Sequence, residues 1–145
     1  LRRAVSGVLR NAQNGDLPLF AWTLGMPQPE LLALLARLFP EVDPVESMPD
    51  AQYQKLLRMC PPDFAAMLTL LLANRNPEQP ERLTRWLAHA IAAACYGERE
   101  LWEDLDLGGR DDLGQLLQQY FPPLHARLRH GHNWKQVLLT EFHAT

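Results

Sequence analysis

A chain of 145 residues with 14 basic and 17 acidic side chains carries a net charge of −3. This length suits one domain and buries roughly 70% of the unfolded surface, enough for a core without staples. The acidic balance, with a pI near 5.9, argues against nonspecific nucleic-acid binding, which needs a basic face, and no apolar run reaches the roughly 18 residues of a membrane helix.

Leu, Ala, Arg and Gln dominate and β-branched alternation is missing, so helices are expected and no strand. The 12 prolines fall mostly between periodic segments, as helix boundaries should. A first helix is expected over residues 2–13, closed by Asn14-Gly15 in a left-handed cap. A short helical piece over 19–24 stops at Gly25. Pro29 suits the first turn of a helix reaching Phe39, with Leu31, Leu34, Leu35, Leu38 and Phe39 on one stripe. Residues 40–49 form an acidic loop, the only candidate linker, between flanks that belong to one core.

Asp50 is placed to cap a helix running through Met59, and Asp63 to cap the next, which carries Phe64, Met67, Leu68, Leu71 and Leu72 in phase. After a turn over 74–80, the strongest helix spans 81–96, with Leu83, Trp86, Leu87, Ala90, Ile91, Ala94 and Cys95 in phase and Gly97 at the C-terminal cap position. A short helix around 99–105 and a Gly108-Gly109 loop follow. Leu113, Leu116, Leu117, Tyr120 and Phe121 mark a further helix that Pro122-Pro123 should end. Asn133, with Gln136 three residues on, opens a last helix through a capping box, and Trp134, Val137, Leu138 and Phe142 share its face. The expectation is an all-α fold: an irregular single-domain helical bundle of about seven to nine helices over residues 1–145.

Chemistry-bearing residues are few. Cys60 and Cys95 make no disulfide framework, and no secretion signal precedes them, so free thiols in a reducing cytoplasm are expected. Cys95 reads as a small buried hydrophobe, with a metal or cluster contact as the sharper alternative. His125, His130, His132 and His143 gather near the C-terminus, but Arg127 and Arg129 beside them disfavour a cation; they read as a solvated polar loop, with an oxyanion site as the sharper alternative. Glu103, Asp104, Asp106, Asp111 and Asp112 read as a solvated acidic face, the last two complementing a helix N-terminus. Trp86 reads as core. Trp102 and Trp134 adjoin charged residues at helix starts, which suits either packing at a helix end or a partner interface. No nucleophile elbow, Walker loop, dinucleotide glycine pattern or zinc-protease motif is present, so no enzyme is indicated.

One ordered set of short motifs stands out: Arg85-Trp86-Leu87-Ala88, Ala94-Cys95-Tyr96-Gly97, Leu101-Trp102-Glu103-Asp104-Leu105, Gly109-Arg110, Phe121-Pro122, Arg127 and Trp134-Lys135. With a weaker first half (Leu24-Gly25, the leucine helix, Phe39-Pro40), this series resembles the NifQ family over residues 17–135. The resemblance implies a non-enzymatic accessory protein of nitrogen fixation. It would bind molybdenum with an iron–sulfur cluster and deliver it to nitrogenase cofactor-assembly proteins, in the cytoplasm and without nucleic acid or membrane. The family's cluster cysteines would lie beyond Thr145, so no metal ligand is assigned among these residues and no cluster is expected to be held by cysteines here. Cys95, Arg127, Trp134 and His143 remain the candidate cofactor contacts. Glu100 and His143 stand where the family's pattern suggests His and Cys, and Gln136-Val137-Leu138 replace its aromatic and basic residues. Two accounts fit: a chain trimmed before its cysteine tail, which the missing initiator Met favours, or a helical protein–protein interaction module that has lost metal handling.

Overall fold

The computed structural model describes residues 1–41 and 48–127, and of Arg127 the backbone only. Among the described residues there are eight α-helices, one 3-10 turn and no strand. In order they are α1 (Arg2–Gln13), the 3-10 turn Leu19–Thr23, α2 (Gln28–Leu38), α3 (Asp50–Leu57), α4 (Phe64–Ala73), α5 (Glu81–Ala94), α6 (Leu101–Asp104), α7 (Arg110–Tyr120) and α8 (Pro122–Arg127). The all-α expectation holds for these segments.

α5 is the axis. Its heptad stripe predicts one buried face, yet Trp86, Leu87, Ala88 and Ala90 through Ala94 are all fully buried. From Trp86 onward the helix is thus buried on nearly every side, which needs partners all round, and α1, α4 and α6 supply them. The alanines let those neighbours approach closely. Around this axis the buried side chains form one contiguous cluster from Ala4 to Leu124.

Several local expectations are corrected. Asp50 and Asp63 make no side-chain caps; Pro49 precedes α3, and the Asp63 carboxylate accepts a bond from Tyr96 instead. α3 ends at Leu57 rather than Met59, and α6 is a single turn. Pro122 and Pro123 end α7 but also begin α8, because a first-turn proline forfeits no intrahelical bond. Gly15 and Gly25 do take left-handed backbone, with φ of 79° and 67°. Gly97 does not. A Cβ there would collide with the Asp104 carboxylate and Leu17, so the glycine serves close approach rather than a cap.

Two side chains fix the geometry between segments. Gln28 makes paired bonds to the backbone of Met48, at 2.7 and 3.0 Å. The buried Tyr53 hydroxyl donates to the Met26 carbonyl at 2.7 Å, and burial pushes its pKa up to about 12. No helix among the described residues is long and apolar enough to cross a membrane.

Candidate functional site

The chain's two thiols come together at one corner of the fold. The turn after α4 is short, so α4 and α5 pack against each other and the start of α4 meets the end of α5. Tyr96 Oη donates to Asp63 Oδ1 at 2.6 Å and ties that corner. Cys60 lies three residues before Asp63, and Cys95 immediately precedes Tyr96, so the two cysteines flank the tie. Both are half-buried, and neither is in a disulfide. Burial, then the Asp63 bond and charge, then the two thiols push the Tyr96 phenol upward. Burial first and the Asp63 carboxylate second also raise the Cys60 thiol, which keeps it protonated and weakly nucleophilic near neutrality. Cys95 is only half-buried and packs against the edge of the core, between the two roles its sequence left open.

His89 stands beside this corner, its ring 5.9 Å from that of Phe64, which in turn lies 6.4 Å from Tyr96. Leu24, left-handed at φ 51°, presents its carbonyl 2.7 Å from His89 Nδ1. A carbonyl only accepts, so Nδ1 carries the hydrogen and Nε2 of the neutral ring keeps its lone pair. Burial is the largest cause holding the imidazole pKa below its ordinary 6.5; Arg85 adds to it, while the Leu24 bond and Glu30 oppose it. The folded state therefore resists the proton that the unfolded chain accepts. Stability is unaffected above about pH 6.5 and falls as pH drops below it, by at most about 1.4 kcal/mol per pH unit. Urea unfolding between pH 7 and pH 5 should show this loss in the wild type and less of it in His89→Asn, whose amide keeps the bond to Leu24. Parallel pH curves for the two proteins would contradict the assignment.

The acidic run is not the uniform solvated face that its composition suggests. Asp104 is fully buried, and its Oδ1 accepts from Arg99 Nε at 3.2 Å. Its backbone carbonyl accepts from the Asn11 side chain of α1 at 2.8 Å. Asp106 adopts φ 55°, accepting from Arg10 at its carboxylate (2.7 Å) and from Arg3 at its carbonyl (3.1 Å). Asp112 does sit at a helix start as expected, accepting from the Gly108 amide at 3.1 Å. Glu100 accepts from Arg110 and from the Trp102 indole, and these two bonds, Arg110 first, hold its carboxyl below the usual range. The indole of Trp102 is thus bonded at a helix start, and Trp86 is core, both as expected.

Of the four candidate contacts, Cys95 is placed at the α4–α5 corner, and Arg127 is placed only as the last residue of α8. Trp134, His143, the helix expected from Asn133 and the Arg129–His132 loop lie outside the described residues. The grouping of the four therefore falls outside the described residues. Among them, no group of three or more His, Cys, Asp or Glu side chains is arranged to hold a metal ion. Sequence inspection missed His89 and the Asp63–Tyr96 tie. The one available signal was a histidine three residues after Trp86, inside the otherwise apolar stretch 86–94.

Comparison with known proteins agrees with the motif series. The NifQ family model matches residues 4–142. Protein NifQ of Azotobacter vinelandii is 39% identical over 83 residues, covering 57% of this chain and 42% of that protein. The chain thus aligns with about two fifths of that relative's length. No solved structure matches it. A match that takes in α1 through α8, with Arg85-Trp86-Leu87-Ala88 on the buried axis, leaves one assignment: the chain belongs to the NifQ family.

Proposed function

We propose that this chain is the helical body of an accessory protein in nitrogen fixation that carries molybdenum toward assembly of the iron–molybdenum cofactor. Family membership over nearly the whole length is the observation that carries this reading. The work is delivery, not turnover. The cargo is molybdenum held with an iron–sulfur cluster, the partners are nitrogenase cofactor-assembly proteins, and the setting is the cytoplasm.

The described residues do not suit the cargo by themselves. Soft thiolates hold such clusters, while Cys60 and Cys95 are two half-buried thiols that belong to no metal-holding group of three among the described residues. We therefore assign cluster ligation to a cysteine segment following Thr145 and give the body two tasks, docking the partner and holding that segment at its surface. Leu19 and Trp22, exposed on the 3-10 turn, offer apolar side chains for docking.

The test is the metal content of the complete gene product purified without oxygen. Molybdenum and iron should co-purify with it and vanish when the cysteines after residue 145 are replaced by serine. A product that ends without such cysteines and is free of both metals would instead make this chain an interaction module that kept the fold and lost the cargo.

A further inference from the structure

An open groove of about 550 Å³ runs between α1 and the Asp106 turn, well away from the cysteine corner. Its walls carry the guanidinium groups of Arg2, Arg3 and Arg10 against the carboxylates of Glu41 and Asp106. No acidic residue occupies the first turn of α1 to reduce that excess.

The three arginines are not equivalent. Arg10 is committed to the Asp106 carboxylate at 2.7 Å. Arg2 lies over the Phe39 ring, 5.1 Å from its centroid, and pairs with Glu41. Arg3 donates Nε to the Asp106 carbonyl at 3.1 Å and forms no ion pair among the described residues. That single bond fixes the orientation of the guanidinium and leaves its Nη hydrogens for another acceptor. On that side the Asp112 carboxylate accepts from the Gly108 amide and forms no ion pair with Arg3 among the described residues. Ser6, one turn along from Arg2 and Arg3, adds a hydroxyl to the same groove.

We propose that this groove binds one tetrahedral oxyanion dianion, of the size and charge of sulfate, hydrogen phosphate or molybdate, on Arg3 and Arg2 with Ser6. A planar guanidinium offers parallel N–H donors to two oxygens of such an ion. Glu41 marks the position: its carboxylate already occupies Arg2 and acts as an internal competitor that the ion displaces. The concavity, and one groove arginine without an ion pair among the described residues, fit one small ion rather than an extended acidic chain. This site is independent of the cargo proposal, since metal content of the complete protein and anion binding at α1 can each fail alone.

Titration calorimetry with sodium sulfate, phosphate and molybdate, at constant ionic strength held with chloride, tests it. One saturable site is expected, with the three ions competing for it and affinities within about tenfold of one another, because shape and charge are what the groove reads. Arg3→Gln should weaken binding by about tenfold or more. Glu41→Gln, at an exposed position away from the core, should tighten it, which guards against a variant that merely misfolds. Absence of saturable binding over chloride, an unchanged affinity in folded Arg3→Gln, or a weaker one in Glu41→Gln would each overturn the site. So would molybdate binding that sulfate and phosphate fail to displace, which would point to the thiols.

Discussion

Gly7→Ala is expected to destabilise the protein by about 3 kcal/mol or more, lowering the melting temperature by roughly 6–12 °C. Gly7 is buried midway along α1, where the helix crosses the end of α6. A Cβ at that position would overlap the Leu105 carbonyl and crowd the Asp106 Cβ. The obstacle is backbone, so no rotamer change relieves it; α1 must lift away. Lifting it strains the Asn11 bond to Asp104 and the Arg3 and Arg10 bonds to Asp106 together. Gly114 is the control. It lies inside α7 with open space around it, so Gly114→Ala should gain roughly 0.5–1 kcal/mol from helix propensity alone. Thermal unfolding of the two variants checks the contrast. Equal melting temperatures for Gly7→Ala and wild type would mean that α1 does not seat where it is placed.

Trp86→Ala should cost about 3–5 kcal/mol, the range for emptying a large buried aromatic site. The ring is fully buried on the α5 axis. Its indole N–H donates to Glu30 Oε1 of α2 at 2.8 Å, and the Arg82 guanidinium lies 5.0 Å from the ring centroid. Arg82 also pairs with Glu30 at 3.1 Å, so one tryptophan joins α2 to α5 through both packing and charge. Arg82 first, then the indole, holds the Glu30 carboxyl below its ordinary range. Trp86→Phe keeps most of the volume and should recover the greater part of the loss. Urea unfolding midpoints in the order wild type, Phe, Ala are expected. A Phe variant as unstable as the Ala variant would make the indole bond, rather than the cavity, the dominant contribution.

These contrasts show which features were legible in sequence. α5 was, because its apolar residues keep helical phase for four turns. Its burial on nearly all sides was not, because periodicity reports one face and the other faces depend on α1, α4 and α6. Asp104 looked like its acidic neighbours, and only the fold sets it against Arg99 and beneath Gly97. Gly15 and Gly97 look alike in a sequence, yet one supplies backbone handedness and the other supplies room. The corner residues were hidden for a related reason: Tyr96 and Asp63 are 33 positions apart, and His89 and Leu24 are 65 apart. No spacing rule links such pairs. The arginines of α1 were visible as charges, but not as the wall of a groove whose other side comes from Phe39, Glu41 and Asp106.

The bonds from α1 to the end of α6 span 92 to 103 positions. On the ribosome, the first helix emerges long before the surface it rests on. It can meet the neighbouring 3-10 turn early, but its bonds to the end of α6 wait while roughly a hundred further residues are translated, which at ordinary elongation speeds takes about 5–20 seconds. During that interval the side of α1 that carries Gly7 and Asn11 is open to nascent-chain chaperones, and closure of the molecule is delayed until the end of α6 arrives to cover it.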